Sequence, residues 1–242
     1  HPLKREIVST YIANAILNRM GATFVHFIAT EAATSTAEVV RGYALAREIF
    51  ELEPLWHRID ALDLHVASNL QLDLYGQLTT IAQRATRWML RSRLEGNELP
   101  ALIQRYQPGA RELRANLGAW MPQEAKTQWQ AAIGKLTDAG VEPDLAQNLA
   151  ALAYIFPALD LVDLAQKAGT SLETAACTYF AVDAELGLTQ WRNEINRLPT
   201  DTLWQTQARS TARDDVYSIA CQITQGLLTR NDELAKWADA NR

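Results

Sequence analysis

The residues best suited to chemistry in this chain are two histidines and two aspartates within nine positions. They are His57, Asp60, Asp63 and His65. Imidazole and carboxylate groups bind Zn²⁺, and ligands three or four residues apart on a helix can reach one ion. His57 and Asp60 have this spacing, but leucines at positions 62 and 64 interrupt the cluster. We therefore expect a solvated helix end and loop here, and no metal site.

Two thiols are the remaining candidates for a nucleophile. Cys177 and Cys221 each lie among apolar residues with helical spacing, and neither has a histidine nearby in the sequence. A catalytic cysteine needs an adjacent base, and a free buried cysteine usually behaves as a small hydrophobic residue. We therefore predict no catalytic residue. Two isolated cysteines also form no disulfide framework, which fits a reduced, cytoplasmic setting.

The glycine pattern argues against a nucleotide site. A dinucleotide fold needs a Gly-x-Gly turn between a strand and a helix, so that the backbone can approach the pyrophosphate. The chain has 11 glycines, and no two of them are separated by a single residue. A phosphate-binding P-loop is absent as well. We expect no cofactor to bind within these residues.

One segment resembles a DNA-binding helix-turn-helix. Residues 164–174 read LAQKAGTSLET, with Gly169 in the turn and Ser171 as the cap of the second helix. A recognition helix meets phosphates and base edges with Lys, Arg, Asn or Gln. Residues 171–186 carry Glu173, Asp183 and Glu185 and neither Lys nor Arg, and the whole chain has a net charge of -5. Two packed helices joined by a capped turn explain the same residues, so we predict no nucleic-acid partner.

The elements that position these residues all show helical periodicity. Hydrophobic residues make up 48% of the 242 residues, and only 8 are proline. We predict an all-α fold, a single helical domain over 1–242. Its helices are expected over about 3–20, 22–32, 35–50, 54–62, 68–95, 123–139, 143–155, 157–168, 171–186, 188–198 and 201–230. Breakers at Pro100, Pro108 and Pro122 make 97–121 the expected irregular connection between two halves, about 1–96 and 141–230.

The two halves repeat one another at an offset of 136 residues. The matched pairs are Ser35 and Ser171, Tyr43 and Tyr179, Leu52 and Leu188, Ile59 and Ile195, and Leu62 and Leu198. Most of these positions are apolar, so a shared packing pattern would also produce them. Their common order favours a duplicated helical unit.

The first helix is apolar on two sides. On a helical wheel of about 100° per residue, one side holds Leu3, Ile7, Tyr11, Asn14 and Asn18, and the other holds Val8, Ile12, Ala15, Ile16 and Met20. A helix with two apolar sides needs two partners. We predict that the first side, named here the α1 face, docks on another part of a longer protein, with its asparagines supplying hydrogen bonds. The alternative is a central helix that this domain covers on all sides.

Two segments are the most distinctive of the chain, HPLKREI (1–7) and NRMGATFV (18–25), and they are followed in order by AEVVR (37–41), REIF (47–50), RATRW (84–88), LDLV (159–162), YFA (179–181) and RDDVY (213–217). Together these segments resemble the region after the catalytic part of the large bacterial NAD-dependent glutamate dehydrogenases. The sequence departs from the family pattern at 26–28, where Arg is common, and at Ala33, where Gly is common. The start at His1 rather than Met agrees with a piece of a longer chain.

The resemblance implies a parent enzyme that converts L-glutamate to 2-oxoglutarate and ammonia with NAD. It places the glutamate-binding lysines and the nucleotide-binding fold upstream, so residues 1–242 would form a structural, assembly or regulatory domain, inactive alone. The expected partners are the upstream catalytic domain and other copies in a homo-oligomer. No run of about 18 apolar residues occurs, so we expect no membrane span. A stand-alone helical binding module is the alternative.

Overall fold

The computed structural model describes residues 3–92 and 98–230, and every regular element in those ranges is an α-helix. The helices are α1 Lys4–Met20, α2 Phe24–Glu31, α3 Thr36–Ile49, α4 Leu52–Asp60, α5 Ser68–Arg91, α6 Leu99–Trp120, α7 Gln123–Asp138, α8 Pro143–Ile155, α9 Ala158–Ala168, α10 Leu172–Glu185, α11 Leu188–Asn196 and α12 Leu203–Leu228. The predicted all-α fold is confirmed. The predicted end of α5 near residue 95 lies outside the described residues.

The expected irregular connection at 97–121 is wrong. Residues 99–120 form α6, with Pro108 inside the helix. Proline removes one backbone hydrogen bond and costs an α-helix interior about 3 kcal/mol relative to alanine. One side of α6 buries Leu102, Tyr106, Ala110, Leu113 and Leu117. Burying a large apolar side chain contributes about 1.5–3 kcal/mol, so the buried side chains of α6 together contribute more than one proline costs.

The chain divides into two compact units. The first holds the described residues up to Arg111 together with Ile133–Phe156, and the second holds Glu112–Ala132 and the described residues from Pro157 onward. Helix α8 therefore belongs to the first unit, whereas the predicted second half began at about 141. Whether the two units behave as one domain stays a prediction.

In the first unit, α3 packs against α5, and α2 and α4 flank α3. The contact between α3 and α5 is close because Gly42 has no side chain: a Cβ atom there would lie 3.3 Å from Cγ2 of Thr86. Tyr43 is fully buried beside it, and burial raises the pKa of Tyr43 to about 12. Helix α8 completes the unit by packing against α4 and α5.

In the second unit, α10 is the central helix, with α9, α11 and α12 packed against it. Its residues from Ala175 to Val182 are all buried, so the helix is covered on every side. The Tyr217 hydroxyl on α12 donates a hydrogen bond to the Asp160 carboxylate on α9. Burial, with the nearby carboxylate, raises the pKa of Tyr217 well above its ordinary value, so this donor stays protonated.

The bounds of the helices repeat between the two units. Helices α3 and α10, and likewise α4 and α11, begin and end 136 residues apart. Ser35 and Ser171 each cap their helix by accepting a hydrogen bond from the backbone N–H three residues later. Glu51 and Gly187, just before α4 and α11, both have left-handed backbone with φ of 54° and 60°. These repeated bounds and caps support the duplicated unit, which stays a prediction.

Within the described residues no single helix is both long and apolar enough to cross a membrane. Only α8 and α9 taken together, across the break between them, reach that length and apolarity. Buried core helices have the same composition, and most residues of α8 are buried.

Candidate docking site

The histidine and aspartate cluster of the sequence is not assembled as a metal site. His57 and Asp60 share α4, with Nδ1 of His57 3.9 Å from Oδ2 of Asp60. Asp63 and His65 lie in the turns after the helix. Across residues 3–92 and 98–230, no three His, Cys, Asp or Glu side chains are grouped so that they could hold a metal ion.

Asp60 instead accepts hydrogen bonds from two other helices. Arg19 of α1 donates from Nη1 and Nη2 to its two carboxylate oxygens at 3.0 and 2.7 Å. The hydroxyl of Tyr75 on α5 donates to the same carboxylate. The hydrogen bonds from Arg19 hold the pKa of Asp60 below its ordinary value, and they raise the pKa of Arg19. Asp60 therefore joins α1, α4 and α5.

The C-terminal half of α1 is packed. Ile16 and Met20 are buried, with 3% and 9% of their surface exposed. The Thr79 hydroxyl on α5 donates to the backbone carbonyl of Arg19 at 3.2 Å. The other predicted members of this side are less covered, since Ile12 and Ala15 are half-buried and Val8 is 47% exposed. The second apolar side of α1 thus packs on the first unit mainly near its C-terminal end.

The α1 face is solvent-exposed. Leu3, Ile7 and Tyr11 are 50%, 64% and 52% exposed. Asn14 and Asn18 are exposed as well. The alternative of a helix covered on all sides does not hold in this structure. One contact of the face is with Arg47, whose guanidinium lies 5.6 Å from the centre of the Tyr11 ring, within cation–π range. Exposed leucine, isoleucine and tyrosine on one side of a helix are typical of an interaction surface.

The helix-turn-helix segment has the wrong surface for DNA. It forms α9 and α10, with Gly169 in left-handed backbone at the turn, as the sequence suggested. The middle of the second helix, residues 175–182, is buried at the centre of its unit, and its exposed ends carry Glu173 and Glu185, which repel phosphates. Cys177 is buried on this helix and Cys221 is half-buried on α12, and both are free thiols.

A groove that the sequence did not predict lies between α5 and α8. Its volume is about 550 Å³, and its lining includes buried Ile81 and Leu152 with exposed Asp73 and Gly76 at its edge. At the groove, the Arg84 guanidinium stacks on Phe156, 3.9 Å from the ring centre. Small residues spaced by four on α5 were the signal available in the sequence. The groove holds no arrangement of nucleophile and base, so it offers binding contacts rather than catalysis.

The described residues thus form an all-α structure whose exposed apolar helix faces, rather than any catalytic cluster, are its candidate functional features. The whole chain, residues 1–242, matches the family described as "Glutamate dehydrogenase, C-terminal". The chain belongs to this family, which confirms the resemblance drawn from its sequence segments.

Three relatives are named NAD-specific glutamate dehydrogenase. The Pseudomonas aeruginosa protein is 36% identical over 234 residues, covering 96% of this chain and 14% of the relative. The Halomonas elongata protein is 33% identical, covering 94% and 14%. The Mycobacterium tuberculosis protein is 30% identical, covering 90% and 13%. The chain therefore spans about one seventh of the length of these relatives.

Proposed function

We propose that residues 1–242 are the non-catalytic C-terminal part of a longer NAD-dependent glutamate dehydrogenase. The whole enzyme would oxidise L-glutamate to 2-oxoglutarate and ammonia, with NAD accepting the hydride. The carrying observation is the match of almost the entire chain to about a seventh of each relative. The absence of a Gly-x-Gly turn from the sequence supports placing NAD and the catalytic groups in the remaining part.

The role of these residues would be structural, in assembly or in regulation. We propose that the α1 face binds the upstream catalytic part of the same chain. The exposure of Ile7 and Tyr11, beside an anchored C-terminal half of α1, supports this contact. The remaining expectations belong to the same proposal: a cytoplasmic enzyme, a homo-oligomer, and no nucleic-acid partner for a chain of net charge -5.

The test compares the full-length protein with residues 1–242 alone. Full-length protein should form NADH from L-glutamate and NAD, read as NADH absorbance. The same assay on residues 1–242 should give no NADH, and calorimetry should detect no NAD binding, because no pyrophosphate-binding turn is present. Tight NAD binding by residues 1–242 would contradict the proposed location of the sites. A full-length protein that leaves glutamate unchanged would contradict the proposed activity.

A further inference from the structure

Helix α11 carries an apolar stripe that the second unit leaves exposed. Leu188, Trp191, Ile195 and Leu198 follow one another at intervals of three or four residues, so they lie on one side of the helix and its C-terminal turn. Leu188 is buried. Trp191 and Leu198 are 63% and 49% exposed, and Ile195 is half-buried. We call Trp191, Ile195 and Leu198 the α11 face.

The matching stripe in the first unit is covered. Helix α4, which begins and ends 136 residues before α11, carries Leu52, Leu55, Ile59 and Leu62 at the equivalent positions. Their exposed fractions are 0%, 4%, 0% and 8%. The same helix with the same apolar positions is therefore buried in one unit and open in the other.

Helices α4 and α11 share two neighbours and differ in the others. Helix α11 packs against α10 and α12, as α4 packs against α3 and α5. Helix α4 is also contacted by Arg19 of α1, through Asp60, and packs against α8. Arg58, at the edge of the α4 stripe, pairs with Glu142 and Asp144 at the start of α8, at 2.8 and 2.6 Å. A helix from another part of the chain, beyond α2–α5, thus packs on α4 at the edge of this stripe.

We propose that an α-helix from the polypeptide outside residues 1–242 covers the α11 face, in the position that α8 holds on α4. The occupant is that remaining polypeptide because the relatives contain about six times as much chain again, and because α4 is covered by a helix of its own chain. We expect the covering helix to present an apolar face, because burying an exposed tryptophan ring in an apolar contact is favourable. The inference rests on the proposed function in one respect, that these residues are part of a longer chain.

The direct test places a photo-crosslinking benzoylphenylalanine at position 191 of the full-length protein. After irradiation, mass spectrometry should identify crosslinks to a peptide outside residues 1–242. The control position is Lys167, an exposed residue on α9 of the same unit, where such crosslinks should be absent. Crosslinks from position 191 only to peptides within 1–242, whether of the same chain or of a second copy, would overturn the proposal. No crosslink, or equal yields at both positions, would overturn it as well.

A second test uses two tryptophans in the full-length protein. Trp191→Ala should raise hydrogen exchange at the α11 amides by about tenfold, because a central aromatic contact is worth more than 1.4 kcal/mol. Trp204→Ala removes a ring that is 82% exposed in the first turn of α12, and it should leave α11 exchange unchanged. Equal exchange in both variants and the wild type would contradict a contact at Trp191. Neither readout depends on glutamate oxidation, so failure of the proposed activity would be seen separately.

Discussion

At the residue scale, the Asp60 carboxylate joins three helices of the first unit, α1, α4 and α5. It accepts hydrogen bonds from Arg19 of α1 and Tyr75 of α5, while the backbone of Asp60 is part of α4. A bidentate arginine–carboxylate pair fixes direction as well as distance. The side chain of Asp60 is 40% exposed, so solvent screening reduces the strength of the pair. Asp60 therefore contributes mainly by orienting α1.

Replacing Asp60 should give a pH-dependent loss of stability. Because the folded state lowers the pKa of Asp60, its contribution is present above the unfolded pKa and is lost as pH falls through the folded value. Asp60→Asn should lower the free energy of unfolding of residues 1–242 by about 1 kcal/mol near neutral pH, after allowance for screening. The difference from wild type should shrink below about pH 4. Urea denaturation at several pH values measures it.

Asp63→Asn is the matched control, because Asp63 is exposed in the turn after α4. Its effect should stay within about 0.5 kcal/mol. A loss in Asp60→Asn that is constant from neutral pH to pH about 3 would contradict a role for the ionised carboxylate.

The sequence predicted a solvated helix end at Asp60 and did not predict its pairing with Arg19. Its spacing from His57 was visible, whereas its main partner, Arg19, lies 41 residues away. Pairings between helices at such separations depend on how the helices pack, which local spacing does not encode. The apolar positions of α1 were more predictable, because helical periodicity alone decides which residues share a side.

At the scale of elements, helices were predicted correctly where hydrophobic periodicity was strong. The prediction failed where a single proline was given more weight than that periodicity. Helix α10 begins after the predicted serine cap, Ser171, and α3 after the equivalent Ser35. The sequence predicts a break at Pro108, whereas α6 runs through it, because an apolar residue recurs every three or four positions along the helix. The cost of one proline is local, whereas burial adds over the whole helix.

The turns before α3 and α10 offer a matched pair of substitutions. Ala33 has φ of 49° and Gly169, at the equivalent position, has φ of 64°. A residue with a Cβ atom is about 1–2 kcal/mol less stable than glycine in left-handed backbone. Glycine keeps only part of this advantage, because its unfolded chain has more conformational entropy to lose on folding. Ala33→Gly should therefore raise the free energy of unfolding by about 0.5–1 kcal/mol, and Gly169→Ala should lower it by about the same amount. Urea denaturation is the measurement.

Gly76→Ala is the control for this pair. Gly76 lies inside α5, and a Cβ there would meet no atom within 4 Å, as at Gly169. Helical backbone favours alanine over glycine, so this substitution should stabilise by about 0.5–1 kcal/mol. If Gly76→Ala and Gly169→Ala changed stability in the same direction, backbone conformation would not be the cause at position 169.

At the scale of the whole molecule, the sequence predicted the fold class and the family but not the grouping of helices. Helix α8 packs in the first unit, although it lies next to the second unit's helices in the chain. Its buried residues surround the helix, including Leu145, Leu149 and Leu152. A helix that is apolar on all sides fits any apolar partner, so periodicity cannot choose between neighbours. For the exposed faces of α1 and α11, periodicity likewise does not identify which part of the longer chain packs on them.

The α1 face should become protected in the full-length protein. In residues 1–242 this face is open, with Ile7 64% exposed. Burying an isoleucine side chain contributes about 1.5–3 kcal/mol, which corresponds to at least a tenfold slowing of amide exchange. Hydrogen exchange over residues 3–20 should therefore be slower in the full-length protein than in residues 1–242 alone. Ile7→Glu should abolish this difference, because a charge cannot be buried in an apolar contact without a partner.

Ser9→Glu supplies the matched control, since Ser9 is also exposed on α1 but lies about 200° away from Ile7 around the helix. The full-length Ser9→Glu variant should keep the protection of residues 3–20. Because both variants add one negative charge to the same helix, net charge cannot explain a difference between them. Equal protection of residues 3–20 in the full-length protein and in residues 1–242 would instead mean that the rest of the protein leaves the α1 face open. The packing of α1 would then be confined to its second apolar side, on which Ile16 and Met20 are buried.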